Sequence, residues 1–384
     1  MKSLLIISQY FPPDITAASF RIGELARFLA KSGEVDVNVL TTTPHRIVLQ
    51  DTQHFIPESK VCRIKVNSKN RFVQYFEFLR KGKRFLNSSD NYNCILVSSP
   101  PISVFQLLKN IKNGVRIILD VRDLWPDTPV AAGKLKRGII YEYFKRYERS
   151  MYKKANAITA VSKPMASYIE EMVPNKNICV IYNGIPRKDY EAAIRNHENE
   201  RRSNEHLNIV YAGNIGLLQG MEVVPEAISL LNNLDISLEI IGDGVLKSQL
   251  QEALENKVTF REPMPRDELL EYLRERADVL FFNLKKDPIL EKTIPSKLFD
   301  YLLLSRPIIT GIKGEGREIL KKTGAAVFFE QDSSASLTEA IKEMKRNYDI
   351  YYRNATENCL NIAKSFIRES MYQKILEIIL ENES

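Results

Sequence analysis

The chain of 384 residues has a mass of 44.2 kDa, and at about 100–200 residues per domain this predicts two domains. Its composition, 44% hydrophobic with 16 glycines and 17 prolines, excludes a disordered, collagen-like or low-complexity protein. The net charge of +7 is uneven, because residues 1–190 hold 30 basic and 16 acidic side chains (+14) and the remainder hold 25 and 32 (−7). The basic half favours an anionic partner: a nucleic acid, a membrane surface or a phosphorylated substrate.

The first apolar run is short and stops at Gln9, so it predicts a buried strand rather than a signal peptide. No stretch approaches the ~18 consecutive apolar residues that a transmembrane helix needs. The four cysteines form no CxxC pair, which favours reduced thiols. We therefore expect a cytoplasmic protein that is able to lie on the inner face of the cytoplasmic membrane.

Apolar runs of strand length alternate with helical patterns along the whole chain. In the first half, a helix over 18–31 follows the first of the predicted strands, which are 4–8, 36–41, 94–98, 116–120 and 157–161. A polar stretch over 195–205 indicates a linker. The rhythm then restarts with predicted strands at 208–211, 238–241, 258–260, 279–282, 307–310 and 326–328, and a helical tail covers 366–383. This alternation predicts two Rossmann-like α/β domains with parallel sheets, which bind ligands at the carboxyl ends of their strands.

The segment 293–302 carries the strongest chemical pattern. Pro295 and Ser296 are residues that start helices, and Ser296 is a candidate N-cap. The following Lys297 and the free N–H groups of a helix start attract an anion, and Asp300 lies one turn further on. The pattern suits a nucleotide, with the diphosphate at Lys297 and the ribose at Asp300. A capped helix with a Lys297–Asp300 ion pair explains the same residues.

Glycines also punctuate the second half where strands end. Gly213, Gly216 and Gly220 follow a predicted strand, and a further turn contains Gly242 and Gly244. Such glycines let backbone approach a phosphate closely. The spacing differs from the dinucleotide fingerprint G-x-G-x-x-G, so an ordinary tight turn is an equally good interpretation.

Two segments of the first half have the character of ligand loops. Residues 120–127 place three carboxylates, Arg122 and the only tryptophan, Trp125, after a strand, although a solvated loop with local ion pairs fits as well. Residues 10–21 comprise a long loop after the first strand and the start of the following helix. The sequence contains no HExxH, G-x-S-x-G or Walker A motif, so metal catalysis and serine-triad hydrolysis are poorly supported.

Taken in order, these segments resemble one family, the retaining GT-B glycosyltransferases of family 4. Within that family the chain is similar to bacterial O-antigen and capsule N-acetylfucosamine transferases. The resemblance spans nearly the whole chain and rests on these segments: 8–13 with Arg21, 122–126, 161–162, 183–184, 213–216, 242–244 and 295–301. It implies a GT-B fold, with two Rossmann-like domains facing across a cleft.

The resemblance implies a domain for each substrate. Residues 1–190 would bind the acceptor, 191–365 would bind the nucleotide sugar, and 366–384 would pack back toward the N-terminal domain. It implies a UDP-sugar donor, no metal or other cofactor, and a polyprenyl-diphosphate-linked saccharide acceptor. The implied donor-binding residues are Gly213, Asn214, Gly216, Gln219, Gly242, Met264, Pro295, Ser296, Lys297 and Asp300. The implied acceptor-binding residues are Phe11, Pro12, Thr16, Arg21, Arg122 and Trp125.

Several positions depart from the family pattern. Asp300 matches the second acid of the E-x7-E motif, but the first falls on Lys292, beside Glu291. The usual diphosphate arginine and lysine fall on Asn214 and Gln219, which leaves Lys297 as the expected catalytic cation. The catalytic-cleft histidine matches Asp123, and the glycine pair of the first loop is replaced by alanines 17 and 18.

The basic first half of the sequence also predicts that the protein contacts a membrane. Three basic clusters (Lys81, Lys83 and Arg84; Lys134, Lys136 and Arg137; Lys145, Arg146 and Arg149) have aromatic residues nearby, namely Phe76, Phe78, Phe85 and Tyr141. Together they predict contact with anionic lipid headgroups, although a solvated basic face is the simpler alternative. Two rival functions remain: a two-domain UDP-sugar epimerase, and a nucleic-acid-binding protein, which the acidic second half argues against.

Overall fold

The computed structural model describes residues 1–14, 17–44, 56–66, 68, 71–88, 92–99, 101–196, 206–231, 234–255 and 257–381. The chain divides into two compact units. Unit 1 comprises Met1–Tyr182 with Glu369–Ser384, and unit 2 comprises Asn183–Arg368. Each unit contains one parallel sheet with helices, which confirms the predicted pair of Rossmann-like domains.

The described part of unit 1 contains a sheet of seven parallel strands. They are β1 (Lys2–Ile7), β2 (Val35–Thr42), β3 (Val61–Ile64), β4 (Cys94–Ser98), β5 (Arg116–Val121), β6 (Ala157–Ala160) and β7 (Asn177–Val180). They lie in the order β3-β2-β1-β4-β5-β6-β7. The connecting α-helices are α1 (Ala17–Lys31), α2 (Arg71–Ser88), α3 (Asp127–Ala131), α4 (Ile139–Lys154) and α5 (Lys163–Met172), and 3-10 turns cover 58–60 and 102–110.

The apolar patterns explain how these elements pack. The last four residues of β1, Leu4–Ile7, have no exposed surface, because helices cover both faces of a parallel sheet. In α1, Ile22, Leu25, Ala26 and Leu29 recur at helical spacing and are all fully buried. The order of the sheet reverses between β1 and β4, and ligands of such sheets bind beyond the carboxyl ends of the strands near that point.

Unit 2 repeats this architecture with six strands in its described residues. They are β8 (Leu207–Ala212), β9 (Ile236–Ile241), β10 (Thr259–Arg261), β11 (Val279–Phe282), β12 (Ile308–Thr310) and β13 (Ala326–Phe328). Their order is β10-β9-β8-β11-β12-β13, all parallel. The α-helices are α6 (Arg187–Arg195), α7 (Val224–Ser229), α8 (Lys247–Leu254), α9 (Arg266–Arg276), α10 (Ser296–Leu304), α11 (Gly314–Lys321), α12 (Ser334–Arg346) and α13 (Tyr348–Ala363), and 3-10 turns cover 221–223, 290–292 and 364–366.

The C-terminal helix α14 (Arg368–Leu380) belongs to unit 1 for all but its first residue. Tyr372 and Ile375 pack in the same core as Leu4 and Ile22, and the Lys2 ammonium donates to the carbonyls of the last turn, reaching Leu380 at 2.9 Å. A cation is favourable there because the carbonyls at a helix C-terminus are unpaired.

The structure corrects the predicted domain boundary. Unit 2 begins at Asn183 rather than after residue 190, because α6 packs on α10 and α13. The chain leaves unit 2 after Arg368, where Ile185 and Ile367 form a parallel bridge and Arg368 donates to the carbonyl of Asn183. The predicted linker at 195–205 lies largely outside the described residues and falls inside the sequence of unit 2.

A buried ion pair joins α1 to the sheet of unit 1. Arg21 Nη2 lies 3.1 Å from Asp120 Oδ1, and both side chains are at most 3% exposed. Burial alone would raise the pKa of Asp120, but Arg21, Arg122 and the hydroxyls of Ser98 and Thr159 bring it below its usual value. This pair therefore stabilises the unit only while its carboxylate is charged.

We predict that Arg21→Met lowers the free energy of unfolding by about 3–5 kcal/mol, because it leaves the Asp120 carboxylate buried without its cation. The double variant Arg21→Met, Asp120→Asn should lose less than the sum of the single losses. Urea titration measures all three, with Lys321→Met as the control, since Lys321 pairs with Glu318 on the surface. Additive losses would contradict the prediction.

Candidate functional site

Two glycines bring the ends of neighbouring strands in unit 2 into close contact. Gly213 follows β8 and Gly242 follows β9, and both have positive φ, +132° and +146°. A Cβ on Gly242 would overlap the carbonyl oxygen of Gly213. The two glycines therefore let the backbone segments pack directly against each other, and only glycine fits both positions.

Lys297 extends from the first turn of α10 to the same place. A Cβ on Gly213 would overlap its Cε, and its Nζ lies 3.7 Å from the centroid of the Tyr211 ring. That nitrogen is buried and has no hydrogen-bond partner among the described residues. Because burial disfavours the charged form, the pKa of Lys297 falls to about 7.

The surroundings hold this lysine and its loop in place. Tyr211 donates from its hydroxyl to the carbonyl of Asn214 at 2.5 Å. The hydroxyl of Tyr301, on α10, accepts from the Ala212 N–H at 3.4 Å and donates to a β11 carbonyl at 3.3 Å. At the far end of the loop, Asn283 donates to the carbonyl of Gly220 at 3.1 Å. The glycine loop and the start of α10 therefore form one preorganised structure.

Asp300 has a partner that the sequence analysis missed. Its Oδ1 lies 2.6 Å from Arg266 Nη2, and Arg266 Nη1 lies 2.6 Å from Asp189 Oδ2. The predicted pairing with Lys297 is wrong, because Lys297 points to Tyr211 instead. Arg266 is the first residue of α9 and stands two residues after Met264, and this proximity to a predicted site residue was the available clue.

The remaining predicted donor residues surround this region in different ways. Ser296 is the first residue of α10 and is exposed, with Pro295 at the N-cap, so the prediction of a Ser296 cap is wrong. Asn214 is exposed, and a Cβ on Gly216 would overlap its amide. Gln219 lies partly buried in the loop.

The first acidic position of the E-x7-E motif has no carboxylate in this protein. Lys292 and Glu291 both belong to the 3-10 turn 290–292. The Glu291 carbonyl lies against Gly314, at the start of α11, where a Cβ would overlap it. Met264 is partly exposed between β10 and α9. These placements leave Lys297 as the cation closest to the glycine loop among the residues predicted from sequence.

In unit 1, Asp123 follows β5 near the carboxyl end of the sheet. Its Oδ1 accepts from the Thr128 hydroxyl at 2.5 Å, and its carboxylate also accepts from the Leu124 N–H. Burial nevertheless raises the pKa of Asp123 above its usual value. A carboxyl group of this kind is suited to holding a hydroxyl group or exchanging its proton nearer neutral pH.

A buried polar network lies beside Asp123. The Lys145 ammonium, on α4, is 2.6 Å from Asp127 Oδ2 and 2.7 Å from Glu148 Oε2, and it contacts the Tyr168 hydroxyl. The hydroxyl of Tyr141 donates to Asp127 at 2.7 Å. Burial raises the pKa of Glu148 to about 7 despite Lys145. The network ties the start of α3 to α4 and α5. Lys145 is therefore bound to buried carboxylates and does not belong to the basic surface cluster that the sequence predicted.

Two predicted acceptor residues are structural instead. Phe11 is 3% exposed and lies in the core of unit 1. Arg21, bound to Asp120, is equally buried and also donates to the carbonyl of Tyr182. Neither presents a side chain to an acceptor in this structure, since burial and internal bonds occupy both. Pro12 remains partly exposed, and Thr16 lies outside the described residues.

Arg122 and Trp125 remain beside Asp123, as predicted. Both are partly exposed, and the Trp125 ring contacts the Phe144 ring edge-on at 5.4 Å. The backbone N–H of Arg122 donates to the Ser99 hydroxyl at 3.1 Å, which connects the ends of β4 and β5. The segment after β5 is therefore the part of the predicted acceptor site that the structure brings together.

A metal site and a membrane-spanning helix are both absent from the described residues. No group of three or more His, Cys, Asp or Glu side chains is arranged to hold a metal ion in the described parts of the chain. Within the same residues, no helix is both long and apolar enough to span a bilayer.

Comparison with family models identifies both halves of the chain. Residues 18–188 match the model of Glycosyltransferase Family 4, and residues 193–362 match the model of Glycosyl transferases group 1. The two matches follow one another along the chain and together account for most of it.

Curated relatives and solved structures agree with these models. The probable glycosyltransferase WbjE of Pseudomonas aeruginosa is 24% identical over 60% of this chain, and the match spans 60% of WbjE's own length. The putative colanic acid biosynthesis glycosyl transferase WcaI of Escherichia coli K12 is 27% identical over 67% of this chain and 68% of its own. Anabaena Alr3699/HepE, solved in complex with UDP and glucose, has the same fold, with a TM-score of 0.69, 14% identity and 99% of each chain covered.

The lowered pKa of Lys297 generates a stability prediction for the ligand-free protein. Its folded pKa of about 7 lies below the unfolded value of about 10.4, so the unfolded chain binds more protons between these values. The free energy of unfolding should therefore rise with pH from 7 to 9 more steeply than in Lys297→Met, by up to about 1.4 kcal/mol per pH unit. Urea titrations at pH 7, 8 and 9 measure this, with Lys321→Met as the control. Parallel pH profiles for the native protein and Lys297→Met would contradict it.

Proposed function

Because the chain belongs to the glycosyltransferases, with a family 4 domain followed by a group 1 domain, we propose that it transfers a sugar from a UDP-sugar to a lipid-linked saccharide. The transfer retains the configuration of the anomeric carbon and serves the biosynthesis of a surface polysaccharide, O-antigen or capsule. From the resemblance to N-acetylfucosamine transferases, the sugar is an N-acetylated 6-deoxyhexosamine.

The observation that carries the proposal is the buried Lys297 ammonium beside Gly213, which has no hydrogen-bond partner among the residues that the structure describes. A buried cation without a partner is costly, and an arriving diphosphate would provide the missing charge and hydrogen bonds. The first N–H groups of α10 have no helical partners and favour the same anion. The site is thus suited to a nucleoside diphosphate, and its binding raises the pKa of Lys297 again.

These groups also explain how the donor reacts. Sugar transfer develops negative charge on the departing diphosphate, and fixed donors around that charge lower the barrier. Lys297 and the backbone of the glycine loop are held in place by Tyr211 and Tyr301 before the donor arrives. We propose that they stabilise the leaving group without a metal ion.

The nucleoside end of the donor would lie at Asp300. Arg266 holds one of its carboxylate oxygens at 2.6 Å and is itself fixed by Asp189. The second oxygen is then oriented to accept hydrogen bonds from the ribose hydroxyls. The complex of HepE with UDP and glucose supports UDP as the nucleotide, as a likeness of fold and not of sequence.

The acceptor would bind unit 1 beside Asp123. Arg122 and Trp125 stand next to it on a segment that the Lys145 network anchors through Asp127. A polyprenyl-diphosphate-linked acceptor places the reaction at the inner face of the cytoplasmic membrane, with the protein bound peripherally. The similarity to WcaI, a putative colanic acid biosynthesis glycosyl transferase, supports a role in polysaccharide synthesis.

We predict that Lys297→Ala reduces donor turnover at least a hundredfold, because removing one fixed donor to a developing oxyanion typically costs 10²–10³ in rate. The assay screens purified protein against UDP-N-acetyl sugars with a lipid-linked acceptor, with and without EDTA. Lys321→Ala, which removes an exposed lysine of the same unit, is the matched control.

Near-normal turnover in Lys297→Ala would refute the donor assignment, and loss of turnover in EDTA would refute the metal-free mechanism. The same assay separates the epimerase alternative, because an epimerase converts the UDP-sugar without an acceptor. Products formed with donor alone would favour that alternative.

We predict that Asp123→Asn lowers kcat with lipid-linked acceptor by about 10²–10⁴-fold, the range for loss of a positioned acid–base group. UDP affinity should stay unchanged, since the proposed donor residues belong to unit 2. Isothermal titration with UDP and initial-rate measurements test the two statements. Asp267→Asn, at an exposed position of α9, serves as control, and unchanged kcat in Asp123→Asn would remove it from the mechanism.

A further inference from the structure

The first turn of α4 exposes large apolar side chains in unit 1. Ile139 is 91% exposed, Ile140 63% and Tyr143 64%. They lie at the N-terminal end of α4, whereas Tyr147, Glu148 and Met151, further along the same helix, are buried. Leaving three such side chains in water is unfavourable, so this turn is built to be covered.

Basic residues surround the same turn. Lys134, Lys136 and Arg137 precede it, Arg146 follows one turn later, and all four are exposed. Against them stands one exposed acid within the turn, Glu142. An apolar tip ringed by long cationic side chains is typical of segments that lie in the headgroup region of a bilayer. Charge complementarity therefore points to an anionic lipid surface.

A chain of aromatic contacts connects this turn to the predicted acceptor segment. The Tyr143 ring lies edge-on to the Phe144 ring at 5.6 Å, and Phe144 lies edge-on to Trp125 at 5.4 Å. Lys145, the residue after Phe144, bonds to Asp127, which lies two residues after Trp125. These contacts therefore fix the position of the exposed turn relative to the segment that carries Asp123.

We propose that the segment 134–146 is a membrane-docking surface, in which Ile139, Ile140 and Tyr143 insert among anionic lipid headgroups. The surrounding basic residues bind those headgroups. This deepens the proposed function and rests on it for one point, that the acceptor is a lipid. Docking here brings the Trp125 segment to the height of the lipid diphosphate.

This surface is smaller than the lipid-contacting face of three basic clusters and nearby aromatic residues that the sequence predicted. Phe78 and Tyr141 are buried, so neither reaches lipid. Phe76 is exposed on α2, with Lys83 and Arg84 also exposed on that helix. That helix offers a matched comparison, since it combines the same residue types away from the Trp125 contact chain.

The test is co-sedimentation of the full chain with vesicles of phosphatidylcholine alone or with 30% phosphatidylglycerol. The native protein should bind the anionic vesicles, and added salt should weaken binding. The double variant Ile139→Asp, Ile140→Asp should bind at least tenfold more weakly. The variant Lys136→Glu, Arg137→Glu should lose about fivefold or more for each charge removed.

Two controls show whether the surface is specific. Ile350→Asp, in unit 2 beside Asp349, changes an apolar residue of 55% exposure and should bind vesicles normally. Phe76→Asp should have a smaller effect than the α4 variants. Equal loss in Phe76→Asp and the α4 variants would overturn the assignment to α4.

Activity measurements separate this proposal from the proposed function. The isoleucine double variant should retain UDP affinity and turnover with a water-soluble acceptor, and lose turnover with acceptor embedded in vesicles. Normal vesicle binding by that variant would overturn the docking surface while leaving the transferase intact. A native protein that fails to bind anionic vesicles would overturn it as well and would favour a protein partner for the exposed turn.

Discussion

The Lys297 ammonium depends on a constraint of parallel sheets, that all strands of a sheet end at the same edge. Because β8 and β9 end side by side, Gly242 packs against the backbone of Gly213, and the absence of a side chain on Gly213 makes room for Lys297. The Tyr211 ring also lies against the Lys297 nitrogen, which has no hydrogen-bond partner among the described residues. The position is tolerable without ligand because the amine can release its proton, and it becomes favourable when an anion arrives.

In unit 1, by contrast, the buried charges of the predicted acceptor region are already paired within the protein. Asp120 is satisfied by Arg21, Ser98 and Thr159, and Asp127 by Lys145. These internal pairs hold the ends of β4, β5 and β6 and so fix where the Asp123 segment lies. Burial thus has a different consequence in each unit. It makes the acceptor segment of unit 1 rigid, and at the donor segment of unit 2 it leaves a charge without a partner among the described residues.

The sequence predicted the fold well because parallel strands are nearly continuous apolar runs, and β1, β8 and β11 are of this kind. The family resemblance also grouped Lys297 with Gly213, and in the structure the Lys297 side chain lies against Gly213. The sequence did not reveal which side chains pair with each other, because Arg266 reaches Asp300 only through the packing of α9 on α10. The resemblance named Phe11 and Arg21 as acceptor residues, but sequence position does not reveal that both side chains are buried.

Net charge is also redistributed once the true units are known. Unit 1 holds 29 basic and 19 acidic residues (+10), and unit 2 holds 26 and 29 (−3), because the acidic tail returns to unit 1. The contrast is therefore smaller than the halves of the sequence suggest. What matters is where charge is concentrated: around the exposed isoleucines of α4 in one unit, and at a single buried amine in the other. Long-range attraction draws a protein to an anionic surface, whereas a short-range, desolvated cation is what a reacting diphosphate requires.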